Sequence, residues 1–343
     1  MISGTSMRDR AIGCLQGLAL GDALGMPTQS FSPVQISERY GRLVGLVDAT
    51  DDQPIAPGMT AGSVTDDTEQ ALLMGRLLVE GGGHIDPHEL ADALIEWEDS
   101  MRARGSLDLL GPSTRAAIEQ LREGAPIGST GAAGTTNGAA MRVAPVGIAV
   151  PVEDPARLMR VVEESCLLSH NTVQGIQSAG LVAVAVSAGV GGASPREAIS
   201  HALDAVETAP GAGHWSARAS VIARTRAALA GASGLSGEEL DAHIRTTVGT
   251  SLDSAESVPA ALTLVWHNAD LPFEALLAAA RMGGDTDTMG AIAGAILGAC
   301  RGRAGFPEDQ VATVERTSHL HIEDLAERLL ALRAGHREPT AGD

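Results

Sequence analysis

The chain is poor in cysteine, and this shortage excludes one class of protein. Only three cysteines occur in 343 residues, Cys14, Cys166 and Cys300, and they lie far apart without paired spacing. Such a chain has no disulfide framework and fits a reducing compartment, so we expect a cytoplasmic protein. We expect each thiol to be a small, buried hydrophobic side chain.

Basic residues and long hydrophobic runs are also scarce. The 24 basic residues face 43 acidic ones, which gives a formal net charge of −19 at pH 7. This charge repels nucleic-acid backbones and anionic lipid, so neither nucleic acid nor a membrane is an expected partner. The most apolar runs, residues 181–190 and 289–300, are too short to cross a bilayer and are predicted to be buried helices. We recognise no secretion leader.

Alternating β-branched stretches and hairpin turns are few, whereas Ala- and Leu-rich segments with an early proline and a terminal glycine are common. The chain is therefore predicted to be all-α. A first helix is predicted to begin at Ser6 and to run into residues 21–27, where glycines and a proline stop it. Residues 28–64 are predicted to form a long loop with one short helix near 33–40. The further predicted helices cover residues 70–80, 87–101, 112–123, 195–208, 216–230, 237–248, 259–268, 272–281 and 322–332, with two more between 154 and 192.

Small residues follow a regular pattern near the end of the chain. Gly290, Gly294 and Gly298 recur at four-residue spacing in an alanine-rich segment. On a helix this spacing makes a smooth face, which lets a neighbouring helix approach closely in the core. We predict one domain over residues 1–335 and a disordered tail over residues 336–343.

Two acidic motifs each precede a predicted helix, Thr65-Asp66-Asp67-Thr68 and Asp285-Thr286-Asp287-Thr288. All their donors are hard oxygens, which suit Mg²⁺, Mn²⁺ or Ca²⁺ rather than Zn²⁺. Helix capping is the alternative, because Asp and Thr favour this position. One cap needs only one side chain, however, and neighbouring carboxylates repel each other unless a cation compensates. We therefore predict that the two motifs form one divalent-metal site.

A glycine-rich run over residues 128–142 is a further candidate for ligand binding. Its glycines allow tight turns and close approach, and exposed N–H groups can cradle a phosphate. The run matches neither the Walker nor the dinucleotide fingerprint, so a flexible linker is the alternative. His170 lies between two predicted helices, where it either contacts a ligand or fills a core or capping position.

Five motifs together resemble the ADP-ribosylglycohydrolase family, which includes the dinitrogenase reductase activating glycohydrolase. The motifs are Gly21-Asp22-Ala23-Leu24-Gly25, Thr65-Asp66-Asp67-Thr68, Asn137-Gly138-Ala139-Ala140-Met141-Arg142, Ser169-His170 and Gly283-Gly284-Asp285-Thr286-Asp287-Thr288. They occur in the family's order and span about residues 10–300. The resemblance implies an orthogonal multi-helix bundle with a dinuclear Mg²⁺ or Mn²⁺ centre at the base of a cleft.

The resemblance also implies an activity, the hydrolysis of the glycosidic bond between ADP-ribose and a protein side chain or small molecule. The attacking water would be activated by the metal pair, and Asp66 or Asp67 would accept its proton. The implied metal ligands are Thr65, Asp66, Asp67, Asp285, Asp287 and Thr288. The implied substrate contacts are Asn137, Gly138, Ala139 and Met141 for diphosphate or ribose, His170 in the same pocket, and Gly283 and Gly284 against the ribose.

One position departs from the family pattern. Gln29 stands where the family usually carries a glutamate, and a carboxamide cannot act as a base at neutral pH. Three consequences are open: a metal-bound carboxylate carries out every proton transfer, the substrate differs from protein-linked ADP-ribose, or activity is lost. The alternative is that Gln29 only replaces a positioning contact. With three Trp, three Phe and one Tyr in the chain, Phe31 is the best candidate to stack on an adenine.

Two other functions stay open, the first because aromatic rings are scarce and the second because the family that the chain resembles includes crystallin relatives. One is a hydrolase of simple nucleosides or other N-ribosides that uses the same metal centre without a diphosphate contact. The other is a non-catalytic member, either crystallin-like or ADP-ribose-binding. The intact set of aspartates argues against the non-catalytic reading, while Gln29 favours it slightly.

Overall fold

The computed structural model describes residues 5–107, 109–209 and 211–335. Within these residues the chain forms α-helices and two isolated bridge pairs, without any β-strand, so the all-α prediction is confirmed. The helices are α1 (Met7–Gly25), α2 (Pro33–Tyr40), α3 (Asp66–Glu80), α4 (Pro87–Ala103), α5 (Pro112–Arg122), α6 (Gly138–Arg142), α7 (Ala144–Ala149), α8 (Pro155–Cys166), α9 (Val173–Val190), α10 (Pro195–Thr208), α11 (Val221–Gly231), α12 (Gly237–His243), α13 (Ser254–His267), α14 (Pro272–Arg281), α15 (Thr286–Arg301), α16 (Glu308–Thr317) and α17 (Ile322–Gly335). The predicted disordered tail, 336–343, lies outside the described residues.

The antiparallel contact between α1 and α15 occupies the centre of the fold. A Cβ atom built on Gly17 would lie 2.2 Å from the carbonyl oxygen of Gly294, and one on Gly21 would lie 2.0 Å from that of Gly290. No side chain fits at these distances, so glycine permits backbone-to-backbone packing of the two helices. The predicted smooth face on α15 is confirmed.

The first helix ends within the segment that was predicted to stop it. Helix α1 continues to Gly25, and the N–H of Met26 still donates to the carbonyl of Asp22 at 2.8 Å. Glycine is unfavourable inside an isolated helix, but Gly21 and Gly25 face the backbone of α15, where close packing outweighs that preference. As a result, Asp22 lies within a helix and is completely buried.

Other helix boundaries also differ from the predictions. Helices α6, α7 and α16 were not predicted, and α11 begins at Val221 rather than near 216. Helix α13 begins at Ser254 and carries Pro259 in its interior, where a proline cannot donate to the preceding turn. The carbonyl of Ala255, which would have received that bond, accepts one from Nε of Arg224 at 3.2 Å instead. A distant side chain thus allows the helix to continue through the proline.

Helix α9 runs through the interior of the bundle. Among the helices of the described residues it alone is long and apolar enough to cross a membrane, yet 89% of it is buried inside the fold. Its second half covers residues 181–190, so the prediction of a buried helix there is confirmed. The three cysteines are also buried and unpaired, as predicted.

Candidate metal centre and substrate cleft

A buried carboxylate on α1 fixes the beginning of α3. Asp22 accepts hydrogen bonds from the N–H and hydroxyl of Thr65, at 3.0 and 2.8 Å, and from the N–H of Thr68 at 3.1 Å. The Thr68 hydroxyl donates to the same carboxylate. These bonds satisfy N–H groups that a helix start leaves without partners. Burial raises the pKa of Asp22 to about 6 despite these donors.

The beginning of α15 is fixed against the same, C-terminal end of α1. The hydroxyl of Thr286 donates to the carbonyl of Gly25 at 2.9 Å and lies 3.0 Å from the hydroxyl of Thr28. Asp285 is held on its other side, because its N–H donates to the carbonyl of Thr250 at 2.8 Å. The C-terminal turn of α1 therefore positions both acidic motifs, one through the carboxylate of Asp22 and the other through the carbonyl of Gly25.

The two acidic motifs meet. The hydroxyl of Thr288 donates to Oδ2 of Asp67 at 3.3 Å across 221 positions of sequence. The residues of the two motifs that line the same cleft are Asp66, Asp67, Asp285, Asp287 and Thr288. Thr65 lies behind them, and its hydroxyl is bonded to Asp22 and 3.3 Å from Oδ2 of Asp67.

The carboxylates at the base of the cleft destabilise one another's charges. Burial, followed by the charges of Asp287, Asp66, Asp22 and Asp285, raises the pKa of Asp67 well above its ordinary value. Burial also raises the pKa of Asp285, against the hydrogen bonds from Asn137 and Thr288. A cluster of this kind is stable at neutral pH when it binds protons or a cation.

The donor set fits a hard divalent cation. Oδ1 of Asp67 is buried and has no hydrogen-bond partner, so it is available to a cation inside the cleft. Within the described residues, no group of three or more His, Cys, Asp and Glu side chains is already arranged around one metal position. The fit therefore rests on the hard oxygen donors and on this unsatisfied oxygen.

The cleft also contains several of the predicted substrate contacts. Gln29, Asn137, Gly138 and Met141 line it together with the acidic residues, around a volume of about 220 Å³. An adjoining depression of about 470 Å³ is lined by three residues that also line the cleft, Gln29, Thr136 and Asp285, and in addition by Gly284. A larger cavity of about 680 Å³ lies between α10, α11 and α13, away from the acidic motifs.

The side chain of Asn137 is engaged with the acidic motif. Its Nδ2 donates to Oδ2 of Asp285 and to the hydroxyl of Ser257, the latter at 2.9 Å. Asn137 therefore orients a proposed metal ligand in addition to lining the cleft. The sequence motif indicated that Asn137 is functional but not that it contacts Asp285.

The structure corrects the prediction for Phe31. Its ring is 5% exposed and does not line the cleft. The guanidinium of Arg39 lies 4.4 Å from the ring centroid, so one face is already covered by a cation–π contact. Among the described residues, no aromatic ring lines the cleft or the adjoining depression, and a base bound there would contact aliphatic side chains instead.

Three other predicted contacts do not reach the cleft. Ala139 and His170 are buried beneath it, at 1% and 0% exposure. Nε2 of His170 lies 2.9 Å from the hydroxyl of Thr136, which does line the cleft. Gly283 lines neither the cleft nor the depression and packs against the start of α2, where a Cβ would lie 2.8 Å from Cδ of Pro33. Its positive φ of 79° explains the glycine without any ligand.

The glycine-rich run is packed rather than free, which contradicts the flexible-linker alternative. A Cβ at Gly134 would lie 1.9 Å from the carbonyl oxygen of Ser169, and one at Gly138 would lie 3.1 Å from Cε1 of His170. The hydroxyl of Thr130 donates to the carbonyl of Leu168 at 2.6 Å. These glycines let the run lie directly against residues 167–171, which places its end in the cleft.

Comparison with known proteins agrees with this geometry. The sequence profile of the ADP-ribosylglycohydrolase family matches residues 3–339. The chain belongs to the ADP-ribosylglycohydrolase family. It is therefore a hydrolase, and the chemistry of its family is the hydrolysis of ADP-ribose linkages, as predicted.

Individual relatives match nearly all of the chain. The uncharacterized protein YegU of Escherichia coli strain K12 is 29% identical over 95% of this chain and 97% of its own length. The ADP-ribosylarginine hydrolase Tri1 of Pseudomonas putida strain GB-1 is 30% identical over 94% of this chain and 78% of its own length. A solved ADP-ribosylglycohydrolase-related protein complex superimposes with a TM-score of 0.70, covering 95% of this chain and 99% of the other, at 24% identity. The last match supports the fold alone.

Proposed function

We propose that this protein is a metal-dependent hydrolase that removes ADP-ribose from a protein side chain or a small acceptor. Two Mg²⁺ or Mn²⁺ ions would be held by Asp66, Asp67, Asp285, Asp287 and Thr288. The observation that carries the proposal is the meeting of two acidic motifs in one cleft, with an unsatisfied carboxylate oxygen of Asp67 at its base. The similarity to an ADP-ribosylarginine hydrolase makes ADP-ribosylated arginine the first substrate to test.

The residues of the cleft have distinct roles in this proposal. When bound, the metal ions would polarise a water molecule and orient the ribose hydroxyls. Asp66 or Asp67 accepts the proton of the attacking water, and the surrounding carboxylates stabilise the positive charge that develops on the sugar. Asn137 holds Asp285 in place through its amide.

Gln29 serves the substrate rather than the proton transfer. Its Nε2 atom is buried without a partner in a residue that lines both cavities, so it is a hydrogen-bond donor for a substrate oxygen. A carboxamide cannot act as a base at neutral pH, so an aspartate of the cleft must accept the proton of the attacking water. We therefore treat Gln29 as a substrate-positioning residue.

The size of the cleft bears on the substrate. The innermost volume of about 220 Å³ is small, but the adjoining depression of about 470 Å³ extends it past Gln29 and Thr136. Two adjoining cavities suit a substrate with a ribose at the metals and a further part outside, as in ADP-ribose. The absence of aromatic rings from the cleft-lining side chains that the structure describes favours a second candidate, a hydrolase of simple nucleosides or other N-ribosides.

A substrate panel separates these candidates. Peptides carrying ADP-ribose on arginine or serine and a set of nucleosides are incubated with the protein in Mg²⁺, in Mn²⁺ and in EDTA, and released ADP-ribose or free base is measured by chromatography. We expect metal-dependent release of ADP-ribose that is lost in Asp287→Asn. Asp92→Asn is the matched control, because Asp92 is exposed on α4 and does not line the cleft.

Three outcomes count against the proposal. Release that survives EDTA and Asp287→Asn would exclude the metal mechanism. Cleavage of nucleosides without cleavage of ADP-ribosylated peptides would favour the second candidate. Tight binding of ADP-ribose without turnover of any substrate would indicate a non-catalytic member of the family.

A further inference from the structure

Arg142 is a fully buried arginine without a carboxylate partner. It is 1% exposed, lies at the end of α6 and takes part in none of the ion pairs found among the described residues. Burial lowers its pKa to about 10, and its Nε atom has no hydrogen-bond partner. A buried guanidinium of this kind is costly to the fold. Its two remaining nitrogens, however, begin two hydrogen-bond chains that lead to two walls of the cleft, one formed by Thr136 and the other by Asp66.

The first chain leads to Thr136. One terminal nitrogen of Arg142 donates to the hydroxyl of Ser169 at 2.8 Å, and that hydroxyl lies 2.8 Å from Nδ1 of His170. Nε2 of His170 lies 2.9 Å from the hydroxyl of Thr136, which donates to the hydroxyl of Ser113 at 2.9 Å. Each residue from Arg142 to His170 in this chain is essentially inaccessible to solvent.

Arg142 determines the direction of these bonds, because a guanidinium has donors only. Since Ser169 accepts from Arg142, its own hydrogen goes to Nδ1 of His170, the acceptor nearest to it. His170 must then carry its proton on Nε2 and donate it to Thr136. The opposite direction would leave the Ser169 hydrogen without an acceptor in the interior. Burial and the charge of Arg142 also lower the pKa of His170, which keeps the ring neutral.

The second chain leads to Asp66. The other terminal nitrogen of Arg142 donates to Oε1 of Gln70 at 2.9 Å. The amide of Gln70 therefore turns its Nε2 toward Asp66, where it donates to Oδ2 at 2.9 Å. With acceptor and donor exchanged, the amide would place an N–H against Arg142 and an oxygen against the carboxylate, which is unfavourable on both sides.

We propose that Arg142 is a positioning residue that sets the direction of both chains. On one wall it makes Gln70 a donor to Asp66. On the other, through Ser169 and His170, it makes the Thr136 hydroxyl an acceptor from His170, so that the hydrogen of Thr136 points away from His170. That hydrogen goes to Ser113 in the ligand-free protein and passes to an oxygen of the substrate when one is bound. His170 is then a positioning residue beneath Thr136 and does not contact the substrate. The assignment of Thr136 to a substrate oxygen, such as one of a diphosphate, rests on the proposed function.

The direction of the first chain is tested in the ligand-free protein by nitrogen-15 NMR of its histidine rings. The chain has ten histidines, and the variant His170→Asn assigns the signal of His170. We expect the neutral Nε2–H tautomer in the wild type and its loss or mixing in Ser169→Ala and Arg142→Gln. Ser165→Ala is the matched control, since Ser165 is equally buried but donates to the carbonyl of Val162. An Nδ1–H tautomer in the wild type would overturn the inference.

Binding measurements test the two walls separately. Calorimetry with ADP-ribose should show an affinity about 10-fold lower in Thr136→Val and in Ser169→Ala, with Mn²⁺ affinity by electron paramagnetic resonance unchanged. The double variant that combines Thr136→Val and Ser169→Ala should lose no more ADP-ribose affinity than Thr136→Val alone, because Ser169 acts on the substrate only through Thr136. Gln70→Met should instead weaken Mn²⁺ binding about 10-fold.

The outcomes distinguish this inference from the proposed function. Additive losses in the double variant, or equal ADP-ribose affinity in Ser169→Ala and the wild type, would overturn the inference while the proposed function stands. A wild-type protein that binds no ADP-ribose with either metal would overturn the proposed function and the Thr136 assignment. The histidine tautomer would still decide whether Arg142 directs the chain.

Discussion

At the scale of single residues, Asp22 shows how a buried carboxylate organises a site that it does not line. It sits on α1 and accepts four hydrogen bonds from the first turn of α3, from the N–H and hydroxyl groups of Thr65 and Thr68. A carboxylate offers acceptors only, which matches four donors. Through these bonds Asp22 fixes the positions of Asp66 and Asp67.

The first prediction concerns Asp22→Asn. The new amide places an NH₂ against threonine donors, so we expect the free energy of unfolding to fall by about 3 kcal/mol and the Mn²⁺ affinity by about 10-fold. Urea denaturation and Mn²⁺ titration check the two effects. The exposed Asp92→Asn should leave both unchanged. A decrease in the free energy of unfolding of the predicted size, with normal Mn²⁺ affinity, would show that Asp22 supports the fold but not the site.

The second prediction concerns Gln29→Glu. Gln29 is 5% exposed in a cleft that contains four aspartates, so a further carboxylate adds to their repulsion and strengthens the attraction for a cation. We expect a lower melting temperature in EDTA and a Mn²⁺ affinity about 10-fold higher, measured by thermal unfolding and titration. Gln35→Glu, on the exposed start of α2, is the control. A variant that gained no Mn²⁺ affinity would place Gln29 outside the reach of the metal site.

Residue spacing predicted some of these roles but not others. The two acidic motifs are recognisable because doubled carboxylates beside threonines are unusual at a helix start. The burial of Phe31 and His170 was not predictable, because exposure depends on which distant elements pack on top of a residue. The same limit applies to the contact between Asn137 and Asp285, which joins residues 148 positions apart.

At the scale of secondary-structure elements, the pairing of α1 with α15 holds the two halves of the site in register. The glycines on both helices bring carbonyl groups within van der Waals distance of the opposite backbone. Asp22 on α1 and Thr286 in the first turn of α15 lie at the same end of this helix pair. A shift of one helix along the other would therefore separate the two acidic motifs. Stability and metal binding are therefore coupled through this interface.

The third prediction follows from that coupling. A Cβ in Gly290→Ala would lie 2.3 Å from the carbonyl oxygen of Gly21, so the helices must separate. We expect the free energy of unfolding to fall by about 3 kcal/mol, and Mn²⁺ affinity to fall with it. Gly335→Ala is the control, because a Cβ there meets nothing within 4 Å. Unchanged stability in Gly290→Ala would contradict the close packing.

Periodicity predicted most helices and failed where a local rule was overridden by packing. Gly21 lies in the segment predicted to stop α1, yet the helix passes through it to Gly25, because the backbone of α15 selects glycine at that position for space. Pro259 was expected to begin a helix, but Arg224 satisfies the carbonyl that the proline leaves free. Short helices such as α6 and α7 have too few residues for a period to be recognised.

At the scale of the whole molecule, the buried thiols and the absence of lysine give the fold a simple alkaline titration. Burial raises the pKa of Cys166 and of Cys300 to about 12, and it raises that of Cys14 further. The sequence contains no lysine and a single tyrosine, so few other groups titrate between the ordinary thiol pKa and that of arginine. Arg142 is one of them, because burial lowers its pKa to about 10, and its effect on stability is opposite in sign to that of the three thiols.

The fourth prediction is a loss of stability at high pH. Above about pH 9 the thiols of the unfolded chain ionise while those of the folded chain stay protonated, so the unfolded state binds fewer protons and the free energy of unfolding falls as pH rises. Urea denaturation at pH 8 and pH 10.5 measures the decline. Cys166→Ala should show a shallower decline, whatever its stability at pH 8. An equal decline in this variant would assign the effect to other groups.

The central claim is that the two acidic motifs together bind two divalent cations. The most direct measurement is a crystal structure of the protein soaked in MnCl₂, with anomalous scattering recorded at the manganese edge. We predict two anomalous peaks at the base of the cleft, between Asp66 and Asp67 on one side and Asp285 and Asp287 on the other. The account would be contradicted if no anomalous manganese peak occurred at this position, or if the peaks occurred elsewhere on the molecule.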